Sequence, residues 1–240
     1  MSLETLDDYL VGIVLGVRFR PNFSIEDQLG KITDDILFSK DALFSPDKFP
    51  MVQHGLNEKA LVNEETGDRL NINNSNIVLQ VHMPGSFGPA DVPKVIQAFD
   101  RQVIKGLMHR YAIRDIARVG LVRRFVIDLE GLANTFVDKT IGKTLEGVND
   151  INLRFSKKLP IDIALIKREV NDYYNVIFNI IKKAYEQEIY ISIDFQQYFV
   201  PPLNASSEMQ FEKFVSEAEK FALKRCLPWL RENYIEAKAS

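Results

Sequence analysis

The chain has 240 residues, 46% hydrophobic and 26% charged, which is enough apolar content for a packed core and excludes a disordered or low-complexity chain. A net charge of −3 and a pI near 5.7 exclude a global positive field that would draw the chain to nucleic acid or an anionic membrane, so any such binding has to be local. The one cysteine, Cys226, excludes an intrachain disulfide and with it a disulfide-dense secreted scaffold.

The opening stretch, MSLETLDDYL, is acidic before it becomes apolar, the reverse of a secretory signal. The longest apolar run, YLVGIVLGV, is far short of the roughly 20 residues needed to cross a bilayer. A cytoplasmic chain without a membrane span is the expectation. Within YLVGIVLGVRF the odd positions Tyr9, Val11, Ile13, Leu15, Val17 and Phe19 are apolar, while the even side carries Gly12, Gly16, Arg18 and, just beyond, Arg20. Successive strand residues point to opposite sides, so this pattern predicts a strand with one core face. An amphipathic helix follows, with Ser24 as the expected N-cap and Ile25, Leu29, Ile32 and Ile36 at helical spacing.

Residues 40 to 75 are polar and turn-rich, with weak strand patterns near 50–55, 59–63 and 68–72, and SNIVLQVHM is a clear strand closed by the turn PGSFGP. From Asp91 to about Arg110 the positions Val92, Val95, Ile96, Phe99, Val103 and Leu107 predict a second helix. Next comes a strand over 113–127, apolar at Ile113, Ala117, Val119, Leu121, Phe125 and Ile127. LANTFVDKTIG reads as a helix, and strand candidates follow at 150–156, 161–170, 174–185 and EIYISIDFQQYFV. The stretch at 174–185 is assigned to strand on its aromatic and β-branched content. A final helix begins near Ser207, uses Phe211, Phe214, Ala218 and Phe221, and is disturbed near Pro228.

These elements predict an α+β fold, antiparallel curved sheet packed by helices, in which a β-α-β-β-β(-β)-α unit occurs twice, over 1–111 and 112–240, as two repeats or one continuous domain. The best local match between the halves is Val11-Gly12-Ile13-Val14 against Val119-Gly120-Leu121-Val122. In element order this resembles the duplicated saddle of TATA-binding proteins. The resemblance does not carry function, and the charge balance argues against it, because saddles of that kind are basic.

Chemistry-bearing motifs are few. His54, His82 and His109 lie on different predicted elements and form no metal-ligand pattern; His82 is expected to face the surface of its strand. Gly142-Lys143-Thr144 lacks the glycine a P-loop needs five positions before its own, where Val137 stands. PGSFGP reads as a strand-to-helix turn before an anion site. Glu64 and Glu65 fall in a turn, and Asp34 and Asp35 on the polar side of a helix, so solvated charge explains them. Cys226 is expected to be a small buried residue near a helix end. Without a nucleophile–base arrangement the sequence nominates no catalytic residue, cofactor or metal, and leans away from an enzyme.

RDIARVGLVRRF, residues 114–125, is the exception to this plainness, because a strand with a buried face carries four arginines. By parity Arg114, Arg118 and Arg124 share the side opposite the core, and Arg123 interrupts the apolar side near a bulge or strand end. With Arg18 on the matching side of the first strand, they are the candidate ligand- or partner-binding residues. Glycines flanked by arginines would make a shallow basic strip that a backbone or carboxylate can approach. The plainer alternative is that each arginine pairs with Glu169, Glu188 or Asp194 across a solvated face, worth about 0–1 kcal/mol per pair. Another protein is the expected partner, with self-association as one alternative; a second is a small anion, bound by a ligand-binding module or enzyme with a pocket between curved sheet and long helices, and nucleic acid is disfavoured.

ARVGLVRRFVID, together with the opening VGIVLGVRFRPN, resembles a sporadically distributed prokaryotic family of uncharacterised proteins of similar length whose mid-chain strand reads Arg-x-Gly-Leu-Arg followed by an aromatic, an aliphatic and an asparagine. Arg118, Gly120 and Leu121 fit; Val122 stands where an arginine is expected, Arg123 is displaced by one, and no asparagine follows Phe125-Val126. The resemblance implies a family without assigned activity or catalytic residues, compatible with accessory or defence-type gene clusters.

Overall fold

The computed structural model describes residues 5–38, 44–55, 58–129, 131–141, 150–161 and 171–235. Among the described residues, nine strands form one antiparallel, curved sheet with helices on one side, an α+β fold. In chain order the strands are β1 (Leu10–Phe19), β2 (Met51–His54), β3 (Glu58–Asn63), β4 (Asp68–Asn73), β5 (Asn76–His82), β6 (Ile116–Ile127), β7 (Ile151–Pro160), β8 (Tyr173–Lys182) and β9 (Ile189–Leu203). Across the sheet they run β2-β3-β4-β5-β1-β6-β9-β8-β7. The first strand of each half therefore lies in the middle; each half's meander begins at an outer edge of the sheet and runs inward, so that its last strand, β5 or β9, pairs with the first. The strand candidate at 161–170 and the Gly142-Lys143-Thr144 stretch fall almost wholly outside the described residues.

Alternation explains the layering. Ile13, Leu15, Val17 and Phe19 of β1, Val119, Leu121, Phe125 and Ile127 of β6, and Ile189, Ile191, Ile193 and Phe195 of β9 are buried beneath the helices. The parity expected for the start of β1 is corrected by a shift in its register against β6 between Leu10 and Gly12. This irregularity buries Leu10 in place of Val11. The bulge expected beside Arg123 thus sits on the partner strand; β6 itself keeps its register with β9 through Arg123, paired with Ile193.

Helix α1 (Phe23–Leu37) buries Ile25, Leu29, Ile32 and Ile36, but its N-cap is Asn22, whose side chain accepts from the Ser24 amide, so the cap stands two residues before the one expected. The second long helix is α2 (Val92–Ala98), a π-helical stretch (Phe99–Leu107) and α3 (Met108–Arg110). Helix α4 (Leu132–Ile141) packs on the same side as the other helices, beside the end of β6, with Phe136 buried against Tyr234. The last helix enters as α5 (Phe211–Phe221), passes through a π-helical stretch (Ala222–Cys226) and continues as α6 (Leu227–Leu230) and a further π-helical turn. Pro228 disturbs this helix without ending it, because a proline in the first turn of α6 loses only an amide whose bond the wider upstream turns no longer need. Cys226 is buried there, and desolvation pushes its thiol up to about 12, far from a reactive thiolate. Among the described residues no helix is long and apolar enough to cross a membrane.

Candidate functional site

Among the described residues, the helices leave the other side of the sheet open. Strand pairing shows which residues share it, since directly opposed residues point the same way. One row runs Asp194, Val122, Val14, Gln80 and Arg69; the next runs Gln196, Gly120, Gly16, Val78 and Asn71; the third brings Tyr173, Tyr198, Arg118, Arg18 and Asn76 side by side. At the centre, β5, β1, β6 and β9 line a shallow trough of about 340 Å³, floored by Gly16 and Gly120 and rimmed by Arg18, Arg118, Asp194 and Gln196.

The two floor glycines are not required by packing. A Cβ at Gly16 would meet Val78 Cγ2 at 3.5 Å and one at Gly120 would meet Gln196 Cγ at 3.7 Å, both ordinary contacts, and neither backbone is left-handed. Gly12 differs, since a Cβ there would lie 2.7 Å from the Val81 carbonyl oxygen. Glycine inside a strand costs roughly 0.5–1 kcal/mol relative to alanine, so Gly16 and Gly120 keep the floor bare at a cost that the fold does not explain.

Arg18 and Arg118 are direct cross-strand partners, and like charges in that relation are destabilising. Among the described residues neither they nor Arg124 forms an ion pair. Arg118 is nevertheless held in place. Its Nη1 donates to the Tyr198 hydroxyl at 3.2 Å and to Gln196 Oε1 at 3.5 Å, and its guanidinium lies 5.6 Å from the centre of the Tyr198 ring. Tyr198 stacks on Tyr173 at 4.9 Å and 5°, and Lys158 Nζ sits 3.8 Å from the centre of the Tyr173 ring. A cation–ring–ring–cation ladder thus crosses four strands, from β7 to β6, with Arg18 next in line on β1.

Asp194 is the acid inside the trough. Burial raises its carboxyl above the usual range, against the lowering effect of the bond it accepts from Gln196 Nε2 at 2.6 Å and of the nearby Arg118 and Arg154. On the strands of this face Arg18, Arg69, Arg118, Arg124, Arg154 and Lys158 stand against Glu58 and Asp194, so the face is cationic although the chain is net acidic.

The structure sorts the expected site residues. Arg18, Arg118 and Arg124 share the open face; Arg114 does not, because β6 begins only at Ile116, and Arg114 is exposed in the loop before it. Arg123 faces the helices and pairs with Asp7 at 3.4 Å and Glu219 at 2.8 Å. The expected pairing of the open-face arginines with acids is not found for Glu188 or Asp194, and Glu169 falls outside the described residues. His82 is more enclosed than expected: its amide donates to the fully buried Asp68, and its Nδ1 is buried against Gly67. In the turn after β5 the Gly88 amide is taken by the Asp91 carboxylate and the Gly85 amide by the Phe87 carbonyl. Sequence reading missed Tyr173, Tyr198, Lys158, Gln196 and Asn76; their alternation along each strand was visible, but which strands neighbour which was not.

No group of three His, Cys, Asp or Glu side chains that could hold a metal ion occurs among the described residues. The chain matches no protein-family model and no curated protein.

Proposed function

We propose that the chain is a non-catalytic binding or assembly module that holds another protein against the open face of its sheet, with Arg18 and Arg118 at the centre of contact and Arg124 further along β6. The observation that carries this reading is the like-charged pair above a glycine floor. Both features cost stability, and both make sense on a surface kept bare for a partner that brings negative charge. The trough supports a second reading, a small anionic ligand or an enzyme acting on one, because its volume falls in the roughly 300–1,000 Å³ range of ligand sites. Its place in the middle of an uncovered sheet favours the protein partner, since small-ligand sites enclose most of what they bind.

We also read residues 1–111 and 112–240 as copies of one unit. What supports this reading is strand order: β1 and β6, the first strands of the two copies, are antiparallel neighbours at the centre of the sheet, and each is flanked by the last strand of its own meander, β5 or β9.

The test is charge reversal, Arg118→Glu with Arg124→Glu. Proteins co-purifying with the wild-type chain from its native cell should be lost from the variant, while the thermal midpoint stays nearly unchanged, since Arg124 is exposed, Arg118 is half-buried, neither is ion-paired among the described residues, and surface charges of this kind contribute only about 0–1 kcal/mol. A clear fall in the midpoint with the same co-purifying proteins would show that these arginines serve the fold alone.

A further inference from the structure

From this geometry we infer that what the Arg18–Arg118 pair recognises is a phosphomonoester dianion, carried on an extended segment of the partner protein; the inference rests on the open-face reading above. The starting point is charge. Two guanidiniums on directly opposed residues of adjacent strands project over one trough, and no acid pairs with either among the described residues. A carboxylate carries one negative charge and neutralises one of them. A phosphomonoester carries about −1.5 to −2 at pH 7 and offers three acceptor oxygens, enough for the forks of both arginines at once. The phosphodiesters of a nucleic-acid backbone carry a single charge each and meet the pair no better than a carboxylate does.

Preorganisation points the same way. Arg118 is fixed by Tyr198 and Gln196, and Tyr198 is itself stacked on Tyr173. A guanidinium already ordered loses less side-chain freedom when a ligand arrives. Asn76, the next residue along the same row, places a side-chain amide beside Arg18. The bare floor at Gly16 and Gly120 leaves room for the tetrahedral group to descend between the two arginines.

The rings on this face argue against single-stranded nucleic acid. Binding of that kind uses free aromatic faces for stacking, whereas Tyr173 lies between Lys158 and Tyr198, and Tyr198 between Tyr173 and Arg118. The uncovered, shallow form of the trough argues for a phosphate borne on a chain, whose flanking residues add contact across the open strands, over a free metabolite.

The experiment titrates the full chain with four probes at fixed ionic strength: a degenerate phosphoserine peptide library, the same library unphosphorylated, O-phosphoserine, and a duplex oligonucleotide. The phosphorylated library should bind at least tenfold more tightly than the unphosphorylated one and more tightly than O-phosphoserine or the duplex. Arg18→Gln and Arg118→Gln should each abolish that preference, with circular dichroism and thermal midpoint unchanged. Polyglutamate, added as a control, separates the two levels of the argument. If it binds as well as the phosphorylated library and loses affinity in the same variants, the open-face reading stands and the phosphate inference falls. Tighter binding of the duplex, or of O-phosphoserine, overturns the inference in favour of nucleic acid or a metabolite. If none of the probes, polyglutamate included, binds above the level of the double Arg→Gln variant, the anionic chemistry assigned to the face falls together with the phosphate inference.

Discussion

Arg123 and Arg118 lie five positions apart on one strand, and the two sides of the sheet treat them in opposite ways. Arg123 points under the helices, where its side chain is 12% exposed and its guanidinium is gripped by Asp7 and Glu219. Arg118 points away from them, stacks on Tyr198 and has no ion-pairing partner among the described residues. The contrast teaches that a charge met inside a strand sequence says little until its side is known. On the covered side a guanidinium must be matched, because an unmatched buried charge is expensive. On the open side water tolerates it, and its retention next to a like charge is a feature to explain.

This comparison can be broken first at Arg123. Arg123→Ala should cost about 1–3 kcal/mol, as expected for removing a largely buried guanidinium, its packing and its bonds to two exposed acids, read as a lower urea midpoint; an unchanged midpoint would erase the distinction between the two sides. The floor glycines come next and run the other way. Gly16→Ala with Gly120→Ala should hold or raise stability, by up to about 0.5–1 kcal/mol per site, while weakening binding of the anionic partner several-fold, a split between midpoint and affinity that a purely structural glycine would not show.

Two carboxylates sharpen the comparison through pH. Asp35 on α1 accepts from the Tyr111 hydroxyl at 2.6 Å and from Arg110 at 2.8 Å, which together hold its carboxyl below the usual range. Its folded pKa is lowered, so its contribution is present above the ordinary carboxylate pKa, about 3.9, and is lost as pH falls through the depressed value. Asp35→Asn should flatten the acid limb of a midpoint-versus-pH curve. Asp194 has the opposite sign. Burial raises its folded pKa, so its ionisation weighs against the fold at neutral pH and that penalty is relieved as pH falls through the raised value. Asp194→Asn should leave neutral stability equal or higher and tighten binding of a phosphorylated peptide, since the trough's own acid no longer opposes an incoming anion. The smallest stability effect belongs to Arg118→Glu with Arg124→Glu, for which a thermal shift within experimental scatter is expected.

Much of the fold was legible along the chain. Period-two alternation in IVLGVRF and in IYISIDF, helical spacing through Val92, Val95, Ile96 and Phe99, and the β-branched, aromatic run at Tyr173–Ile181 each assign an element by local physics. Local reading failed where the outcome depends on a partner strand or on chain direction. The slip at Val11 is visible only against β6, and Arg114 was placed on a strand because nothing in its own parity marks where pairing stops. The ion pairs expected between the open-face arginines and acids required knowing distances across the sheet, and Glu188 and Asp194 do not provide them.

By itself the sequence determined that antiparallel strands with one apolar side would be covered by amphipathic helices, and that glycines and arginines would share the side left over, because side-chain period follows from backbone geometry alone. Only the tertiary structure decided that β1 and β6 lie side by side in one sheet, that Gly16 faces Gly120 and Arg18 faces Arg118, and that Lys158, Tyr173 and Tyr198 extend the row. Strand order is set by which apolar faces bury best together over long separations along the chain, and the composition of no single strand contains it.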